Sequence, residues 1–148
     1  MKTTMWRALL STGLVLCVCS LAQAGQPGRP CSVKTLQGTY VFSATGFNIV
    51  AGVAQPKAIV EVIEFNGDGT LSVGAVTLSV NGAIVRMPPG GLGAYAVERD
   101  CSGAIVFEGP TFDIVVSRDG DTISMIQTNP NTVFQGTATR ALREADRR

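Results

Sequence analysis

From residue 39 onward, apolar and polar residues alternate with a period of two, in short runs separated by clusters of Gly, Asn, Asp and Pro. That is the period of a pleated strand, whose successive side chains point to opposite faces, and it differs from the 3.6-residue period of an amphipathic helix. The runs are rich in Val, Ile, Thr, Phe and Tyr, which suit a half-buried pleated surface. They predict strands over 39–47, 57–65, 70–80, 83–87, 93–99, 102–108, 111–118, 121–128 and 132–140. Asn66-Gly67-Asp68-Gly69, Asn81-Gly82 and Asp119-Gly120 supply residues that tolerate positive φ, and Asn129-Pro130-Asn131 is a further turn.

Connections this short make each strand antiparallel to the one before it. Eight or nine such strands curl readily, and closure removes the free edges that would recruit other chains. The expected fold is therefore all-β: a single antiparallel up-and-down barrel of eight or nine strands over 38–140, its first and last strands paired. A two-sheet β-sandwich is the competing architecture. A flexible leader is expected over 25–37 and a charged tail over 141–148 (ALREADRR).

The first 24 residues read as an export signal. Lys2 and Arg7 precede an apolar stretch over 8–22, which ends in Ala22-Gln23-Ala24 before Gly25. The stretch is short for a membrane span, so an exported chain, periplasmic or secreted and without an anchor after cleavage, is expected. Cys17 and Cys19 leave with the signal. Cys31 and Cys101 remain, in a compartment that permits oxidation, and a disulfide between them is expected to pin the leader to one end of the domain.

Composition narrows the chemistry. The chain has no His, which excludes Ser-His and Cys-His nucleophile pairs and imidazole metal ligands. Loss of Lys2 and Arg7 leaves ten Lys/Arg against eleven Asp/Glu, a balance that suggests neither nucleic acid nor an anionic membrane as partner. Asn66-Gly67-Asp68-Gly69-Thr70 resembles the start of a calcium loop, but no Glu follows at the required spacing. Gly90-Gly91 lacks the Lys and the helix of a phosphate loop and reads as a rim loop able to gate a cavity. No cofactor is implied.

Alternation also assigns faces. The expected interior holds Tyr40, Phe42 and Ala44; Ile59, Ile63 and Phe65; Leu71 and Val73; Gly93, Tyr95 and Val97; Phe112, Ile114 and Val116; Ile123, Met125 and Gln127; and Phe134, Gly136 and Ala138. Glu61 breaks this pattern. It shares a face with Ile59, Ile63 and Phe65, where a carboxylate is costly unless paired and where desolvation raises its pKa. The opposite assignment stays open, because Val60 and Val62 form a competing apolar row. Tyr40, Tyr95 and Gln127 are candidate hydrogen-bond partners, and Arg86 a candidate counter-charge, although its alternation with Val85 and Met87 can also turn it outward.

The segments Cys31, 36–42 (LQGTYVF), 65–69 (FNGDG), 93–103 (GAYAVERDCSG) and 136–140 (GTATR) together resemble a group of small exported bacterial proteins of unknown function. That group is more distantly similar to the allene oxide cyclase-like and lipocalin-like barrels. The resemblance implies a closed barrel that holds a hydrophobic small molecule, some such barrels steering a cyclisation without a cofactor. No catalytic motif carries over. Three functions follow as expectations: a binding module for a small apolar ligand in or at the mouth of the barrel; a cofactor-free cyclase or isomerase using Glu61 with Tyr40 or Tyr95; and a structural cell-envelope protein with a filled core.

Overall fold

The computed structural model describes residues 29–141; the expected signal segment and most of the charged tail lie outside the described residues. Nine antiparallel strands follow one 3₁₀ turn at Val33–Thr35: β1 (Gln37–Val50), β2 (Val53–Asn66), β3 (Thr70–Val80), β4 (Ala83–Met87), β5 (Gly91–Val97), β6 (Ser102–Phe107), β7 (Thr111–Val116), β8 (Thr122–Gln127) and β9 (Thr132–Arg140). Eight of them close into a barrel. Each pairs with its sequence neighbour, β9 returns to β1, and β3 pairs with both β2 and β5. The sandwich alternative is thereby set aside.

The ninth strand, β4, is an excursion. It pairs only with the second half of β3, Val76↔Met87 to Val80↔Ala83, while β5 pairs with the first half, Thr70↔Ala94 to Val73↔Gly91. β4 and β5 thus form one arm of a long hairpin, interrupted at Pro88-Pro89-Gly90. The expected strands are found at nearly the expected positions. The main extension is the β1–β2 hairpin, which runs to a two-residue turn at Ala51-Gly52, both at positive φ.

The barrel has two unlike ends. At one, the short strands β6, β7 and β8 finish at a low rim, and β6 meets β5 no further up than Phe107↔Gly93. The β1–β2 and β3–β4 hairpins rise past that rim as a flap. At the other end the leader folds over the barrel. It departs from the expected flexible segment from Cys31 onward: Cys31 is bonded to Cys101 across 70 residues, and Leu36 is wholly buried. Chain-entropy arguments give a loop of this size about 4 kcal/mol of stabilisation.

The core fills the barrel's lower half. Tyr40, Phe65 and Tyr95 meet edge to face, with centroids 5.1 and 5.0 Å apart, above Leu36 and beside Ile63, Leu71 and Ile105. Apart from Gly93 and Gly136, which have no side chain, every interior residue assigned by alternation packs in the core or lines the cavity described below, and β6 adds Ile105 and Phe107. At the β1–β9 seam, Gly136 is required by space, because a Cβ there would clash with the Ser43 carbonyl oxygen.

Candidate functional site

The upper half of the lumen is open. A cavity of about 350 Å³ lies between the flap and the low rim, within the size range of small-molecule pockets. Phe42 and Phe112, edge to face at 5.8 Å, lie at its inner end. Ile59, Val73, Val76 and Leu78 form the flap-side wall, Phe107 and Phe134 line the opposite wall, and Met87, Pro88 and Leu92 edge the mouth. Met87 and Leu92 are exposed there, as are Ile84 and Val85 higher on the flap. Apolar surface thus continues from the interior onto the rim.

A bulge builds the flap-side wall. The β2–β3 register shifts between Glu61↔Val76 and Ile63↔Val73, so Gly74 and Ala75 face the single residue Val62. The extra residue flips the alternation of β3. Leu71 and Val73 point inward below it, and Val76 and Leu78 point inward above it.

Glu61 is the one charged residue buried among the described residues, at 8% exposure, and it lines the cavity at the level of its β1 partner Phe42. Desolvation pushes its carboxyl up to about 7. Among the described residues no hydrogen bond or ion pair engages it. Among the described residues no fully buried side-chain polar atom is left without a partner, so the Glu61 oxygens open onto the cavity.

The other polar groups lie nearer the mouth. Lys57 shares a face with Glu61 four residues earlier in β2; its Nζ sits 4.2 Å from the Phe134 centroid and donates to Gln127 Oε1 at 3.3 Å. Burial lowers its pKa. Gln127 Nε2 in turn donates to Asn129 Oδ1 at 2.9 Å, and the same oxygen accepts from the Thr111 N–H at 2.8 Å. This chain ties β2 to the low rim across the opening. Glu108 also lines the mouth and is exposed.

The candidate residues divide by height. Glu61 and Gln127 line the cavity. Tyr40 and Tyr95 share the inward face but lie at the closed end, where Tyr95 holds the leader and Tyr40 the turn between β7 and β8. The Tyr95 hydroxyl lies 2.9 Å from the carbonyl oxygens of both Val33 and Leu36, donates to one at a time, and accepts from the Gly67 N–H at 3.0 Å. The Tyr40 hydroxyl donates to the Gly120 carbonyl. Arg86 is exposed and pairs in register with Thr77 on the outer face, away from Glu61, because Met87 takes the inward position beside it. Lys57 is a charged cavity residue that sequence reading passed over, although alternation back from Glu61 through Ile59 reaches it.

The Asp-rich turns have a different use. Asp68 accepts from the N–H and hydroxyl of Thr70 at 2.9 and 2.7 Å, and Asp100 from those of Ser102 at 3.0 and 2.7 Å, each carboxylate closing its own turn. Among the described residues no three His, Cys, Asp or Glu side chains gather as a metal site would require. No protein-family model, curated protein or solved structure matches this chain.

Proposed function

We propose that this protein is an exported binding module that holds a small, mainly apolar molecule in the open half of its barrel. The observation that carries this reading is the contrast between two halves of one lumen: aromatic packing fills the lower half, and a cavity of about 350 Å³ with apolar walls occupies the upper. That volume takes roughly a dozen non-hydrogen atoms, at about 30 Å³ for each atom the size of a water. The exposed apolar rim at Met87 and Leu92 gives such a molecule a continuous path inward. The resemblance to lipocalin-like barrels points the same way.

Catalysis has a narrower basis. A cyclase or isomerase would rely on Glu61 as its acid or base, since the Tyr95 hydroxyl is committed to the leader and the Tyr40 hydroxyl to the Gly120 carbonyl. A filled-core structural role leaves the cavity without a use.

The test is Nile red binding. The natural protein should enhance the dye's fluorescence saturably, and Leu78→Trp, which fills the flap-side wall, should abolish the enhancement while keeping the circular dichroism of the native fold. Enhancement that is absent in the natural protein, or unchanged in Leu78→Trp, overturns the proposal.

A further inference from the structure

Glu61 invites a statement about the chemistry of the occupant. As a residue it is 8% exposed, its carboxyl opens onto the cavity, and no hydrogen-bond or ionic partner among the described residues engages it. A carboxyl in such surroundings is stabilised by whatever brings it a donor or a positive charge. The protein brings neither. Lys57 is the one cation lining the cavity, and it is held toward the mouth by Gln127 and Phe134, four residues or roughly 13 Å along the strand from Glu61. The walls between them are Ile59, Val76 and Leu78.

We infer that the molecule this cavity holds is an apolar amine, its ammonium group seated on Glu61 and its hydrocarbon body running past Ile59 and Leu78 toward Met87 and Leu92. The inference rests on the reading of the cavity as a ligand site and deepens it. An ammonium supplies both the missing donors and the missing charge. An alcohol supplies a donor only, and a carboxylate head meets repulsion at the inner end. The orientation also accounts for the apolar rim, which the emerging tail covers. Glu61 and Glu108 are the two acids that line the cavity, so Glu108 is the control for a general attraction of cations to the mouth.

The experiment is displacement of Nile red by n-octylamine, 1-octanol and octanoate at pH 8. The amine should displace the dye at about tenfold lower concentration than the alcohol, with octanoate weakest. A tenfold effect is the modest gain expected when pairing must offset the desolvation of two charges. Glu61→Gln should bring amine and alcohol within twofold of each other, whereas Glu108→Gln and Lys57→Met should keep the amine's advantage. Equal displacement by amine and alcohol in the natural protein, or an advantage that survives Glu61→Gln, overturns the assignment of the head group while the ligand site stands. Failure of the dye to bind at all removes the ligand site, and the amine with it.

Discussion

Burial lifts Glu61 from its ordinary value near 4.5 to about 7, whereas hydrogen bonds within their turns hold Asp68, Asp100 and Asp119 below the usual carboxylate range. The two classes act on stability in opposite directions. Folded Glu61 keeps its proton to about pH 7 and unfolded Glu61 loses it near 4.5, so the folded form binds more protons between those values and stability falls as pH rises through them. The full span corresponds to roughly 3 kcal/mol, as an upper figure. The turn aspartates add stability that is present above their unfolded pKa and lost as pH falls below about 4. Urea unfolding should therefore show greatest stability near pH 4 to 5 and a decline toward pH 8 that Glu61→Gln abolishes; a profile identical in the two proteins would contradict the burial argument. Arg140 is the other residue of consequence. Its guanidinium donates to Asp121 Oδ1 at 2.9 Å, to the Gly120 and Thr35 carbonyls at 3.0 and 3.4 Å and to the Gln37 carbonyl, and it lies 4.8 Å from the Tyr40 ring centroid. A lysine cannot reproduce that fork, so Arg140→Lys should lose about 1–3 kcal/mol in the same assay. Nothing in the local sequence marks Arg140, because its partners lie in the leader about a hundred positions away and in the turn between β7 and β8 about twenty positions away.

At the scale of elements, alternation reported which face each strand turns inward but not how far along the barrel a residue sits. Height comes from pairing register, Tyr40↔Ile63 against Phe42↔Glu61, and register is set by turn positions at both ends of a hairpin. This is why Glu61 was legible as an interior carboxylate while Tyr40 and Tyr95 were grouped with it incorrectly. The β3 bulge was hidden for a similar reason: an extra residue shows only when a partner strand is laid beside it, and Gly74 is its sole local sign. The leader's packing was legible only through Cys31. Joined to Cys101, whose φ of 75° places it in a conformation usual for glycine, it brings Leu36 under the barrel. The double substitution of Cys31 and Cys101 by Ser should lower stability by about 4 kcal/mol and speed amide exchange at Leu36 more than at Ile123, since the first is held by the leader and the second by the sheet. Equal protection at Leu36 with and without the bridge would show that Tyr95 and Arg140 suffice to hold it.

The molecule as a whole is a barrel finished at one end and left open at the other. Strand lengths divide it: β6, β7 and β8 have six residues each, β1 and β2 fourteen, and the difference becomes a flap above a low rim. Length of this kind was partly legible, since the run over 70–80 and the Asn81-Gly82 turn already mark a tall hairpin. That the interior stays unfilled was not legible, because volume depends on the separation of walls that share no sequence pattern. The most direct test of this division is methyl NMR during titration with n-octylamine. Ile59, Val73, Val76, Leu78 and Met87, which line the cavity, should shift, while Ile114, Ile123 and Met125 in the filled core should not. Shifts concentrated in the second group, or in neither, would contradict the account.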